Sequence, residues 1–228
     1  LIPAHDLVLA HFTRTGQYVE ESSIPSVLEM TDAFSLNYER VAALRRWNVQ
    51  ELLYRIDAPR TLRYERNTIQ HFDLVSLVSP VDRDFLLGTE TSNRDHVRVY
   101  TNGIDLDARP FHLPSSEPIM VFIGNMRTVH NQVSCTYFIE QVLPHIREEI
   151  PEIEFRIVGS APTSVQRRYQ QTEGVTVTGW VDSIPEATQN AFCGIGVMRV
   201  GCGLQNKILE YMALGLPVVA NSIGMEGF

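Results

Sequence analysis

The chain of 228 residues has almost no lysine: eighteen of its nineteen basic side chains are arginine, and Lys207 is alone. Cysteine is nearly as scarce, with only Cys135, Cys193 and Cys202. Three unevenly spaced thiols form neither a metal quartet nor a disulfide framework, and an odd count suits a reducing compartment, so the expected location is the cytoplasm. Long apolar runs are missing. None reaches the roughly 18 residues that a spanning helix needs, and the N-terminus lacks a signal-peptide pattern. Peripheral association with the cytoplasmic face of the inner membrane stays open, because it requires no span. Positive charge is also short. A formal net charge of -8 provides no basic field to displace counterions from phosphates, which argues against a nucleic-acid partner. Nothing reads as low-complexity, and 44% hydrophobic residues are enough to bury one large core or two modest ones.

What the chain does have is alternation. "DLVLAHF" (6–12), "SVLEMTD" (26–32), "FDLVSLVS" (72–79) and "HVRVYTN" (96–102) are Val- and Leu-rich runs ending in polar residues, as strands of a parallel sheet do. Amphipathic stretches separate them, the longest from Ala33 to about Gln70 with an interruption near Pro59. "FHLPSSEP" (111–118) breaks the pattern and reads as an interdomain linker. Five more strands follow at 119–124, 154–159, 175–180, 192–199 and 217–222, with helices near 131–149, 163–172, 184–190 and 204–214. Strand, helix, strand at this spacing means right-handed crossovers. The expected fold class is α/β, with two Rossmann-like doubly wound parallel-sheet domains, 1–114 and 115–228. Ligands bind such sheets at the carboxyl ends of the strands.

Those ends carry Gly124-Asn125, Gly159-Ser160, Gly179-Trp180 and Arg199-Val200-Gly201. Glycines punctuate most strand-to-helix turns, so none of these is informative alone. The stretch "GCGLQNKILEYMALGLP" (201–217) combines more. Leu204, Ile208 and Met212, with Leu209 and Ala213, make an apolar stripe expected to face the sheet, and Gly215 and Pro217 stop the helix. Gly201 and Gly203 leave N–H groups open at the helix start, where dipole and unpaired donors attract anions. A lysine in that first turn is electrostatically unfavourable unless an anion offsets it, the cost being on the order of 0.3–1 kcal/mol. Glu210 at i+3 could do so as a surface pair. A bound phosphate or diphosphate could do so equally well, with Glu210 then placed for sugar hydroxyls.

The segments "IMVFIGNM", "QVLPHIREEIPEIEFRIVGSAP", "GVTVTGWVDSI" and "GLQNKILEYMALGLPVVANSIGMEG", in that order, resemble the nucleotide-sugar-binding domain of family 4 retaining glycosyltransferases, which have the two-Rossmann-domain GT-B fold. The likeness is greatest to bacterial sugar transferases of exopolysaccharide biosynthesis. "FDLVSLVSPVDRDFL" and "VRVYTNGID" resemble the end of the first domain more loosely. The family signature is E-x7-E. Glu210 matches its second glutamate, which implies contact with the ribose hydroxyls, whereas Cys202 stands where the first is expected. A "GR....K" loop usually holds the diphosphate; here "GNMRTVHNQ" puts Asn125 and His130 at those places, with Arg127 nearby. Lys207 is then the best-placed cation, with Arg199 as helper. The loop at Trp180 and Val181 receives the base in the family, although Trp180 reads as core just as readily. The donor-binding set is therefore Gly124, Asn125, Arg127, Trp180, Val181, Gly203, Leu204, Gln205, Lys207 and Glu210.

The resemblance implies transfer of a sugar from a nucleoside diphosphate sugar, with retention, to a glycan or lipid-linked acceptor. Lys207, Arg199 and the helix dipole would stabilise the departing diphosphate without a metal or other cofactor. "DLD" at 105–107 reads as turn chemistry, so no metal site is expected. The acceptor would dock against the first domain, where His11, Arg14 and Asp32 lie at strand ends. Asp32 is the candidate near the anomeric centre, and His11 also reads as an ordinary strand-end histidine. A GT-B enzyme has about 350–400 residues, so the chain is expected to be a fragment of a longer protein, with both domains incomplete. Two rival readings remain: a non-catalytic GT-B module, which the missing glutamate and loop cations favour, and a sugar-nucleotide epimerase.

Overall fold

The computed structural model describes residues 5–20, 23–44, 49–88 and 95–228. They divide into two units: Leu1–Asn102 with Gly201–Leu204 and Glu226–Phe228, and Gly103–Val200 with Gln205–Met225. The division expected at 114/115 thus falls at 102/103 instead. "FHLPSSEP" lies within the second unit, where the His112 N–H donates to the Leu214 carbonyl (3.0 Å) and the Ser115 N–H to the Ala191 carbonyl (3.2 Å). Conversely, two short later segments pack with the first unit. Arg40 donates to the Gly201 carbonyl (2.6 Å) and forms a forked pair with Glu226 (2.7 and 2.9 Å).

In the first unit β1 (Val8–His11), β2 (Ser26–Thr31), β3 (Leu74–Leu77) and β4 (Val97–Val99) form a parallel sheet in that order. Each lies inside a predicted segment. Leu28, Met30, Val75 and Leu77 bury its core. The helices are α1 (Thr13–Gly16), α2 (Phe34–Ala42), α3 (Val49–Thr68) and α4 (Pro80–Leu87). The interruption expected near Pro59 is absent: α3 runs through it, at the loss of one backbone N–H bond. Within the amphipathic stretch, α2 ends at Ala42.

The second unit holds β5 (Ile119–Ile123), β6 (Glu154–Val158), β7 (Val175–Gly179), β8 (Cys193–Gly196) and β9 (Val218–Ala220), all parallel, in the order β7-β6-β5-β8-β9. Every residue of the central strand β5 is buried, which explains its unbroken apolar run. The order reverses between β5 and β8, so the crevice at their carboxyl ends is the topological switch point. Here α5 (Val129–Tyr137) continues through a π-helical turn (Phe138–Val142) into α6 (Leu143–Glu149), followed by α7 (Thr163–Tyr169), α8 (Ile184–Thr188) and α9 (Asn206–Leu214).

The apolar stripe of α9 is corrected. Met212 is 59% exposed, while Ile208 and Ala213 are buried as expected, together with Lys207, Tyr211 and Leu214, and Leu204 just ahead of them. Tyr211 decides this phase. Its hydroxyl accepts from the Ile123 N–H (2.8 Å) and reaches the Val121 and Ile195 carbonyls, stitching α9 to β5 and β8. A glycine must face the ring: a Cβ on Gly194 would lie 2.3 Å from Tyr211 Cγ.

Candidate functional site

The carboxyl ends of β5, β6 and β7 enclose a cavity of about 480 Å³, bordered by Arg109, Gly124, Asn125, Ser160, Trp180 and Asp182 among others. Glycine at the β5 and β6 ends is a steric requirement, because a Cβ on Gly159 would lie 2.4 Å from the Gly124 carbonyl oxygen. Of the expected donor-binding residues, Gly124, Asn125, Trp180 and Val181 border this cavity together. Trp180 is 78% exposed, which removes the reading of it as core. An exposed indole at a cavity mouth offers a flat apolar surface for stacking.

Lys207 lies beneath the switch point and is only 8% exposed. Its Nζ donates to Asn131 Oδ1 (3.1 Å), Met198 Sδ (3.4 Å) and Gln205 Oε1 (3.4 Å), and lies 4.6 Å from the centre of the Phe122 ring. Asn131 Nδ2 in turn donates to the Asn125 carbonyl (3.1 Å), which links the ammonium to the cavity rim. None of these three acceptors is a carboxylate. Burial therefore pulls the Lys207 amine down from its ordinary 10.5 to about 8. The surface pair with Glu210 does not form, since the two side chains are engaged elsewhere.

Glu210 is held by Arg109. The guanidinium Nε donates to Glu210 Oε2 in a short bond and Nη2 to Oε1 at 2.9 Å. The segment that brings Arg109 there begins as an Asx turn, with Asp105 Oδ1 accepting from the N–H groups of Asp107 (3.1 Å) and Ala108 (3.4 Å). "DLD" is thus turn chemistry, as expected. Past Arg109, Phe111 packs at Gly215, whose φ of 79° ends α9. Arg109 had no local sequence signal, because its partner is 101 residues away.

The other expected residues are placed differently. Arg199 is exposed and its guanidinium carbon lies 4.5 Å over the Tyr137 ring, while Arg127 is exposed in the loop after β5. The Gly203 N–H, expected to face an anion, donates to Asp82 Oδ2 (2.9 Å), and Leu204 is buried. Asp82 also accepts from the Ala33 N–H (2.8 Å), bracing the loop after β2 where Asp32 sits. Burial, then Asp82 and Glu29, push the Asp32 carboxyl up to about 7. Asp32, Asp82 and Cys202 place one ligand atom each within 4.8 Å of one another. Both Asp82 oxygens are committed to backbone N–H groups, so this grouping serves as a loop brace. The sequence reading had missed Asp82, although "SPVD" carries the serine cap and Pro of a helix start, and Ser79 Oγ does accept from the Val81 N–H (3.1 Å). His11 pairs with Glu29, and Arg14 is exposed on α1.

The family model described as Glycosyl transferases group 1 matches residues 117–227. This segment is similar to the group 1 glycosyltransferases. An uncharacterized 44.6 kDa protein in the cps region of Klebsiella pneumoniae is 25% identical over 146 residues, covering 54% of this chain and 38% of that protein. Among solved structures, HepE of Anabaena in complex with UDP-glucose superposes with a TM-score of 0.70 at 15% identity, covering 98% of this chain and 62% of HepE. TarM does so with a TM-score of 0.69 at 11% identity, covering 95% of this chain and 41% of TarM. The fold is therefore GT-B, and the chain spans between 38% and 62% of the length of these three proteins. Within the matched segment, the expected loop cations are not replaced by His130. Burial, then Lys207, lower its imidazole to about 4, so it is neutral at pH 7.

Proposed function

We propose that the chain is part of a retaining glycosyltransferase that takes a nucleoside diphosphate sugar as donor and a glycan or lipid-linked acceptor in polysaccharide biosynthesis. The observation that carries this reading is the joining of three features at one set of strand ends. A cavity is lined by Trp180 and glycine backbone; Glu210 is tied to its wall by Arg109; and a buried lysine lacking a carboxylate among its acceptors lies below its rim. A nucleotide fits these in order: base beside Trp180, ribose diol on Glu210, and diphosphate toward the loop after β5 and Lys207. A desolvated ammonium is most effective where negative charge grows on the leaving diphosphate. No metal or other cofactor is required in this scheme, Arg199 assists from the loop after β8, and Asp32 is the catalytic candidate on the first unit. Three free thiols suit a cytoplasmic protein, which would meet the membrane peripherally if its acceptor is lipid-linked.

Calorimetric titration with UDP and GDP tests the donor site. Lys207→Ala and Glu210→Ala should each weaken binding by about tenfold or more, the loss expected for a hydrogen bond to a charged group. Absence of binding to either nucleotide, or an unchanged affinity in Lys207→Ala, would refute it. A second reading, a binding module without turnover, is favoured by Cys202. Its thiol is kept protonated by burial and by Asp32 and Asp82, so it cannot act as the missing glutamate. Donor hydrolysis by the full-length protein separates the two.

A further inference from the structure

Arg109 belongs to no recognised part of the donor site, yet it occupies two places at once: it borders the cavity and it forks onto Glu210. An exposed ion pair of this kind usually contributes little. This one is different in three respects. It is bidentate. Both side chains are largely covered, at 23% and 17% exposure. The arginine backbone is also pinned on either side, by the Asp105 turn with the Arg109 N–H on the Leu106 carbonyl (3.1 Å) and by the His112 N–H on the Leu214 carbonyl (3.0 Å). The guanidinium is therefore delivered to a fixed point opposite the middle of α9, where it takes the Glu210 carboxylate.

A carboxylate has about four lone-pair sites, of which the fork uses two. The two that remain can accept from two neighbouring hydroxyls, the requirement of a cis-diol. Without the fork, a glutamate on a helix surface samples several rotamers and must be ordered when the ligand arrives. We infer that Arg109 is a positioning residue that presets the Glu210 carboxylate for the ribose diol and so sets discrimination for ribonucleotides over 2′-deoxyribonucleotides. The inference rests on the donor-site reading above and adds to it the residue that makes Glu210 selective.

The test compares the affinities for UDP and 2′-deoxy-UDP in the wild-type chain and in Arg109→Ala, Arg109→Lys and Glu210→Gln. The wild-type chain should prefer UDP by about tenfold. Arg109→Ala should reduce that preference to within about twofold while still binding the deoxynucleotide, and Arg109→Lys, which keeps the charge but not the fork, should be intermediate. The ratio, unlike either affinity alone, is insensitive to a general loss of structure. A preference retained in Arg109→Ala but lost in Glu210→Gln would overturn the role of Arg109 and leave the donor site intact. A tighter grip on UDP in Arg109→Ala would overturn it as well, by showing that the arginine competes with the ribose. No binding of either nucleotide by the wild-type chain would remove the donor-site reading and this inference with it.

Discussion

At the scale of residues, the lone lysine shows how chemistry and place are read separately. Its isolation and its position beside two glycines mark it in the sequence, but that it is buried without a carboxylate among its acceptors is decided by Asn131, Met198 and Phe122, which come from other elements. The consequence is measurable. The unfolded chain keeps the lysine proton up to about 10.5, whereas the folded chain releases it near 8. Below 8 the fold therefore carries the cost of a desolvated charge, and this cost falls away as the pH rises from 8 towards 10.5. Wild-type protein should gain on the order of 2 kcal/mol relative to Lys207→Met between pH 7 and 9.5 in urea denaturation. Parallel profiles for the two proteins would mean that Lys207 titrates normally and is not desolvated.

Elements were the most legible scale. All nine strands among the described residues fall inside predicted segments, because buried parallel strands write themselves as short Val/Ile-rich runs with glycine or polar ends. Phase and continuity were less legible. The leucine, isoleucine and methionine at 204, 208 and 212 suggested a four-residue period, yet the helix turns on Tyr211, whose hydroxyl finds three backbone partners in the sheet. Similarly, Pro59 reads as a break, yet α3 runs through it. The close approach of α9 to β8 gives an element-level expectation. Gly194→Ala drives a methyl into the Tyr211 ring and should cost about 2–3 kcal/mol, lowering the melting temperature by roughly 5 °C or more. An unchanged melting temperature would show that the ring can shift and that the Tyr211 bonds do not fix the helix phase.

For the molecule as a whole, the proposed nucleotide site around Lys207 and Glu210 lies in one unit and should answer as a unit. UDP or GDP at a hundred times its dissociation constant should stabilise the protein by about 2.7 kcal/mol. The shift in melting temperature should be the same with and without EDTA, since the scheme holds the diphosphate by Lys207 and backbone donors. A shift abolished by EDTA would instead place a divalent cation between protein and phosphate.

Local pattern determined the alternation of strands and helices, the α/β class, the glycines at the strand ends and the candidate pair of Lys207 and Glu210, because periodicity and turn chemistry act over a few residues. Tertiary structure alone decided that Trp180 stands in the open, that the Gly203 N–H turns to Asp82 and away from an anion, and that Arg109 meets Glu210 across 101 residues. Each of these depends on partners distant in the chain. No window of sequence contains them, and only the folding of the sheets brings them within hydrogen-bond reach.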